Sequence, residues 1–409
     1  MPSALEGLIV LDFTHALAGP YCTMLLAQYG ARVFKIESST GDTGRTWGPP
    51  FTGTQASYFI GVNAGKKGVL IDLKRPEGLD LALRLIEKAD VLIENMRPGT
   101  LDRIGLSYSK AQARNPRLIY CSISGYGQNG PRRDEPAMDL ILQASCGLIS
   151  VTGAPGGEPA RCGHSVADVT AGMFAMIGIL MALNARHTTG QGQLVDISMF
   201  DSMISAMASN FAYYCGSGIV AEPMGTAFAT IVPYRTFPTA DRHIAIAVGS
   251  EKLWPPFCQA VGRPDLASIP EYATNALRVK HRDVLEPLLF EIFARHTAAE
   301  LSARLTAQGV PNSPVRTIDE VVADPQSAVR RMFEPVVDSA GAKFDVTGPP
   351  IKLANTPGAV CGSAPYLGEH TNETLSELLH LDASELHRLT AAGVIIHSGN
   401  TVGPHPKTN

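Results

Sequence analysis

An aspartate, Asp168, stands at the mouth of an apolar run in the stretch HSVADVTAGMFAMIGILMAL (164–183). From Val169 to Leu183 there is no charge and a single hydroxyl, that of Thr170. Two chemistries suit a carboxylate in that place. It can cap a helix, since Asp is a preferred N-cap residue. It can also act as a nucleophile. Helix amides and the helix dipole favour the anion, apolar walls leave it poorly hydrated, and carboxylates form covalent acyl intermediates. The residue types alone leave both readings open, and the cap is the plainer one.

Other chemistries find less support. A G-x-G-x-x-G pattern occurs at Gly125, Gly127 and Gly130 in SGYGQNGP. It follows a strand, but Pro131 and RRDEP are poor material for the helix opening that a dinucleotide pyrophosphate requires. The first strand-helix turn, FTHALAGP, has one glycine. Glu37, which could mimic the ribose-binding acid, does not rescue a nicotinamide reading. SGYGQNGP reads as a loop beside a site or as a structural turn. The 11 histidines are dispersed without H-x-x-x-H or H-E-x-x-H, so no metal site is expected. There is no G-x-S-x-G elbow for a serine hydrolase.

Strand and helix alternate in the elements that must position Asp168. LIVLDF (8–13), ARVFKIE (31–37), VLIDL (69–73), DVLIEN (90–95) and RLIYCSIS (117–124) read as strands. PYCTMLLAQYG (20–30) reads as a helix opened by proline and stopped by Gly30. RPEGLDLALRLIEKA (75–89) is an amphipathic helix. Buried strands alternating with helices imply an α/β fold with a mostly parallel sheet. TTGQGQLVDISMFDSMISAMASN reads as a turn, a short strand and a helix. RTFPTADRHIAIAVGS then reads as strand-turn-strand, and RDVLEPLLFEIFARH and TAAELSARLTAQG as helices, the second with a capping box at Thr297 and Glu300. NETLSELLHL reads as the final helix.

The chain has 409 residues, more than one ordinary core holds. The expected division is 1–220 and 331–409 in a large domain, with a smaller α/β domain at 225–330. Apolar residues make up 45% and charged ones 18%, a globular balance. A net charge of -4 gives no footprint for nucleic acid or an anionic membrane, so an anionic ligand must be held by local cations. The N-terminus has no basic segment before a long apolar one, so no signal peptide is expected. The uncharged run beside Asp168 has about 15 residues, short of the ~18–20 that span a bilayer. Seven cysteines without a C-x-x-C pair fit reduced thiols in a cytoplasmic compartment. The tail HSGNTVGPHPKTN reads as disordered or ornamental.

Several stretches occur here in a specific order: VLDFTHALAGPYCTMLLAQYGARVFKIE, GDTGRTWGPP, VLIDLKRPEG, VLIENMRPGTLDRIGL, SISGYGQNGP, VADVTAGMFAMIGILMALNARHTTGQGQLVDISMFD and GVPNSPVRTIDEVVADPQ. Together they resemble the family III CoA-transferases, from about residue 5 to 380. The resemblance implies a large Rossmann-like domain built from N- and C-terminal parts, a smaller domain between them, and an interlocked homodimer. It implies a CoA thioester as substrate, with no permanently bound cofactor. It also implies that Asp168 attacks an acyl-CoA and becomes an acyl-aspartyl anhydride.

By the same resemblance Lys74, Arg97 and Arg103 meet the CoA nucleotide, His15 and Ala18 line the thioester end, and Asn95 belongs to the turn before Arg97. Their places after strand ends agree with ligand binding in open α/β sheets. Two departures matter. Leu17 stands where formyl-CoA transferase has glutamine, and a run of glycines in the small domain is missing, its local counterpart being Gly249 and Ser250. Formyl or oxalyl transfer is therefore not expected. The α-methylacyl-CoA racemases of the family carry a histidine before the acid of an HD pair, and here the pair is Met138-Asp139, which lacks one base. Asp139 is a candidate helper or another cap. A racemase and a non-catalytic CoA-binding protein are the alternatives. The texture of the chain resembles members that use succinyl-CoA and C4–C6 dicarboxylates such as itaconate, mesaconate or citramalate. Burying a second carboxylate unpaired would cost several kcal/mol, so the candidate partners are Arg45, Arg235 and His15.

Overall fold

The computed structural model describes residues 2–396. The tail HSGNTVGPHPKTN lies outside the described residues. Two compact units divide the chain, one of Met1–Gly147, Cys162–Gly218 and Pro325–Asn409, the other of Leu148–Arg161 and Ile219–Asp324. The smaller unit takes in residues 148–161, which the sequence reading left within 1–220.

The larger unit is built on a six-stranded sheet: β1 Ile9–Asp12, β2 Arg32–Glu37, β3 Lys67–Leu70, β4 Val91–Glu94, β5 Ile119–Ser124 and β6 Leu194–Ser198. All neighbours run parallel, in the order β3-β2-β1-β4-β5-β6. Helices α1 Ala18–Gln28, α2 Ser57–Asn63, α3 Pro76–Ile86 and α4 Thr100–Ile104 fall between the strands. The first helix opens two residues earlier than its proline suggested, because Pro20 is tolerated anywhere in a first turn whose amides have no intrahelical partner. Strand β3 ends at Leu70 rather than Leu73, since Asp72 turns the chain by accepting from the Lys74 amide at 3.0 Å.

Helix α3 lays Leu81, Ala82, Leu85 and Ile86 on the strand residues Leu11, Phe34, Val69 and Leu92. The C-terminal segment joins the same core through helices Thr371–Leu379 and Ala383–Ala391, with Leu375, Leu378, Leu386 and Leu389. The second of these, absent from the sequence reading, is opened by a capping box of Asp382 and Glu385.

Two further helices carry the candidate chemistry: α5 Asp139–Ser145 and α6 Val166–Thr189. Among the described residues α6 is the one helix long and apolar enough, by length and composition, to cross a membrane. It exceeds the uncharged run counted from sequence because it takes Asp168 into its first turn and continues through Arg186. Its buried residues include Ala167, Ala171, Gly172 and Ala175, and it packs on α1, β5 and β6. Small side chains let the two helices approach closely. A Cβ on Gly172 would lie 2.5 Å from the carbonyl oxygen of Ala18 and 3.1 Å from the Tyr21 ring.

The smaller unit holds an antiparallel sheet of Tyr234–Pro238, His243–Ala247 and Asn312–Pro314. Its core joins Phe237, Ile244 and Ile246 to Leu285, Leu289 and Phe293 of helix Arg282–Phe293 and to Trp254 and Phe257. The capping box of Thr297 and Glu300 opens helix Ala298–Ala307 as expected. Where one helix was read after strand β6, two follow, Met199–Ala206 and Ala208–Ser217.

Gly172→Ala should destabilise the chain by about 1–3 kcal/mol, because the new methyl meets backbone rather than a side chain that can swing away. Gly216→Ala, in helix Ala208–Ser217 with nothing within 4 Å of the new Cβ, should be neutral or stabilising by up to ~1 kcal/mol. Urea unfolding of the two variants checks the contrast.

Candidate active site

The sheet order reverses between β1 and β4, and a crevice opens at the carboxyl ends of strands at such a point. The residues there are Phe13–Leu17 after β1 and Asn95 after β4. Asn95 holds the first turn from both sides: its Oδ1 accepts from the His15 amide at 2.8 Å, and its Nδ2 donates to the His15 carbonyl at 2.8 Å. Ala16 adopts a left-handed backbone, φ 65°, and its amide donates to Asp42 at 2.9 Å. Thr14 donates its amide to Asp12, while its carbonyl accepts from Lys35 at 2.8 Å. A non-glycine residue at positive φ is uncommon, and side-chain partners supply what a regular element would have provided.

Helix α1 starts from this turn, and its close approach to Gly172 brings Ala18 one helical turn from Asp168. Asp168 is the third residue of α6, after Ser165 at the N-cap. It is not the cap. The cap role falls to Asp139, whose Oδ1 accepts from the Ala167 amide at 2.9 Å. Gln143 Nε2 donates to the other oxygen of Asp139 at 2.7 Å, and Gln143 Oε1 accepts from the Cys162 amide at 2.9 Å. Asp139 is buried at the start of α5. The segment leading into α6 is thus pinned by two side chains of α5.

Asp168 is left to a different fate. Burial pushes its carboxyl up to about 7, and the negative charge of Asp139 adds to the effect. The expected stabilisation of its anion by helix amides is outweighed, because Asp139 already takes the Ala167 amide and desolvation dominates. A second effect of the same acids falls on Tyr58 of α2. Burial, then Asp168, Asp42 and Asp139, raise its hydroxyl so that it stays protonated. Its ring meets Trp47 edge-on at 4.9 Å and lies against Gly44. Burial lowers the His15 imidazole below its usual value despite the opposing charge of Asp42.

The expected cations divide into two sets. Lys74, Arg97 and Arg103 are exposed. Arg103 donates to Thr100 at 3.0 Å. Arg97 and Thr100 line a cavity of about 180 Å³ with Glu94, Ser122 and Gln128. Arg45 and Arg235, expected to face a second carboxylate, are instead engaged by the fold. Arg45 forms two bonds to buried Glu37, at 2.8 and 2.7 Å, and stacks 3.8 Å from the Phe59 centroid. Arg235 shares a sheet face with buried Phe237, and pairs there with Glu286 over the Phe290 ring. Strand alternation sends it to the packed side, away from Tyr234 and Thr236. Gly249 and Ser250 form an exposed bend after strand His243–Ala247 in the smaller unit.

Sequence reading missed Lys35, Asp42, Tyr58 and Gln143. A lysine inside the buried strand VFKIE was one available signal, since Lys is almost never fully buried unless paired. Asp42 before Thr43-Gly44 was another, as Asp favours such turns, and it does accept from the Gly44 amide at 2.8 Å. Nothing local marked Tyr58 or Gln143.

Residues 5–371 match the model of CoA-transferase family III. The chain is 35% identical over 396 residues to the succinyl-CoA:glutarate CoA-transferase of Homo sapiens, covering 96% of this chain and 90% of that one. It is also 35% identical over 396 residues to the succinyl-CoA--D-citramalate CoA-transferase of Chloroflexus aurantiacus, covering 96% and 98%. A crystal structure of a CAIB/BAIF family protein from Brucella suis superposes with a TM-score of 0.83 at 36% identity, covering 92% of this chain and all of that one.

The raised carboxyl has a consequence for stability. A folded-state value of about 7 against the ordinary 3.8 means that the native state holds its proton longer than the unfolded one. Stability from this group therefore falls as pH rises from about 4 to about 7. Asp168→Asn removes the penalty. It should stabilise the chain on the order of 2 kcal/mol at pH 8, after discounting for solvent screening, with the gain shrinking towards pH 4. Thermal unfolding of both proteins across that range reads the difference directly.

Proposed function

This chain belongs to CoA-transferase family III, and from that premise we propose that it moves CoA from succinyl-CoA to a C4–C6 dicarboxylate through an anhydride on Asp168. The observation that carries the reading is the state of that carboxylate. It is largely desolvated, opposed by Asp139 and held in the first turn of a helix packed on α1, the helix that starts from the turn at the strand-order reversal. One of its oxygens attacks the thioester carbon, the C–S bond breaks, and the CoA thiolate leaves with the electron pair. The thiolate and the acceptor carboxylate then carry the exchange onward, each step making one acyl bond and breaking another. Desolvation favours attack, since a carboxylate without its water shell is the better nucleophile.

Lys74, Arg97 and Arg103 are proposed to meet the CoA phosphates. Their exposure supports this, as charge-assisted phosphate contacts need accessible donors. The relatives named above act, by their names, with succinyl-CoA and glutarate or citramalate, which supports a dicarboxylate acceptor here. With Arg45 and Arg235 held by Glu37 and Glu286, the distal carboxylate is proposed to meet neutral donors, among them Tyr58 and His15. A second copy of the chain is proposed to cover the exposed stripe Met173, Ile177 and Met181 on α6, whose spacing is that of one helix face. Seven dispersed cysteines without a C-x-x-C pair support a cytoplasmic, reducing compartment.

Asp168→Ala should abolish transfer, and hydroxylamine should trap the acyl group in the parent protein alone. With succinyl-CoA as donor, glutarate, itaconate, mesaconate and citramalate should outpace formate and butyrate. A preference for formate or butyrate would remove the dicarboxylate assignment, and transfer by Asp168→Ala would remove the anhydride.

Lys74→Ala and Arg103→Ala should raise KM for the acyl-CoA roughly tenfold with kcat nearly unchanged, because contacts remote from the reacting carbon serve ground and transition states alike. Steady-state kinetics over a range of succinyl-CoA concentrations gives the split.

A further inference from the structure

The turn Thr14–Ala16 is held almost wholly by side chains, and most of those are buried charges. Asp12 takes the Thr14 amide, Lys35 takes the Thr14 carbonyl, Asn95 takes both backbone groups of His15, and Asp42 takes the Ala16 amide. Lys35 and Asp42 pair with each other at 2.8 Å, and both side chains are wholly buried. Asp42 also receives the Gly44 amide. It therefore joins the turn after β1 to the turn that carries Trp47 and rests on Tyr58.

A buried ion pair is weak evidence for stability, since apolar residues of similar volume hold a fold as well. What this pair does hold is geometry, since Lys35 bonds the Thr14 carbonyl and Asp42 the amides of Ala16 and Gly44. The left-handed backbone of Ala16 is a place where alanine costs more than glycine, and such strain persists only where the surroundings over-determine it.

We propose that the buried Lys35–Asp42 pair is a positioning device for the transfer reaction, fixing the His15–Ala16 turn and the Gly44–Trp47 turn in one arrangement around the thioester. Neither residue touches the reacting atoms. The inference rests on the reading of Asp168 as the nucleophile, because only then does the neighbouring turn face the bond that breaks. Displacing a positioning group by about 1 Å can cost on the order of 100-fold in rate. The pair acts through turnover rather than through affinity for the CoA nucleotide.

Removing Asp42 alone would orphan a buried ammonium, so the test uses neutral double variants. Lys35→Met/Asp42→Asn keeps an oxygen for the Ala16 and Gly44 amides. Lys35→Met/Asp42→Ala removes it. The Ala double should lose about 100-fold in kcat with KM for succinyl-CoA within about threefold of the parent. The Asn double should recover about tenfold of that loss at a similar melting temperature. Equal turnover in the two doubles, or a loss confined to KM, overturns the proposal. Ala16→Gly covers the case in which the Ala double does not fold. Glycine suits the positive φ, so stability holds, and the looser turn should lower kcat about tenfold. Parental turnover in Ala16→Gly counts against the proposal. Asp168→Asn is assayed alongside: activity there fails the anhydride reading, whereas the positioning role fails on the doubles and the glycine variant.

Discussion

Three carboxylates and three cations share one buried cluster in the larger unit: Asp12 with Lys66, Asp42 with Lys35, and Glu37 with Arg45. Their charges cancel, and nearly every oxygen and nitrogen has a partner. Lys66 alone donates to Asp12, to the Pro20 carbonyl and to Asn63. Burial lowers its ammonium to about 8, with Asp12 opposing. Burial also works against ionising Asp12, yet Lys66 and Lys35 hold its carboxyl below the ordinary range. Removing one member of such a pair typically costs about 3–5 kcal/mol, because the other is left charged without an answer. What the cluster supplies is backbone satisfaction. The turn after β1 belongs to no helix or strand and the one after β2 holds a single 3-10 turn, Thr43–Thr46, so their buried amides and carbonyls need partners. The charged side chains provide them, and so the crevice at the strand-order reversal has one shape.

The candidate nucleophile is arranged on the opposite principle. Where Asp12, Glu37 and Asp42 are paired with cations, Asp168 is desolvated by burial and faced by a like charge. The same Asp139 that gives α6 its cap makes the Asp168 anion less comfortable. The cap, which the candidate nucleophile seemed able to supply itself, falls to the second carboxylate. The division is physically sensible. A carboxylate bound by helix amides is stabilised as an anion and correspondingly less reactive, whereas one left unbonded keeps its lone pairs for a carbonyl. Local instability at a reactive group is a common exchange of stability for activity.

Cations follow a related division. Arg45 and Arg235 sit in stretches that drew attention by sequence, but each guanidinium neutralises a buried glutamate and lies over an aromatic ring. Removing Arg45 would strip Glu37 of its guanidinium partner, whereas Glu286 would keep Arg282 at 3.2 Å. Lys74, Arg97 and Arg103 remain at the surface, where they can meet a polyanion at little cost to the fold. For a protein of net charge -4, that placement matters more than the overall count of cations.

Much of this was legible along the chain. Apolar runs with the right flanks marked five of the six parallel strands, with Leu194–Ser198 read only as a short strand, and a carboxylate before a long run of small and apolar residues drew attention to Asp168. Thr297 and Glu300 announced their capping box because both partners lie within one turn. Local signals of this kind depend on residues three or four apart, and the chain states them directly. What the chain could not state was pairing across distance. Arg45 finds Glu37 through a loop, Arg235 finds Glu286 across 51 positions, and Ala167 finds Asp139 across 28. Each partner had a plausible use elsewhere, and desolvation decided among those uses only once the elements were packed. The raised carboxyl of Asp168 belongs to the same class. Its residue type was visible from the sequence, but the low hydration and the facing negative charge that set its chemistry exist only where α5 and α6 meet.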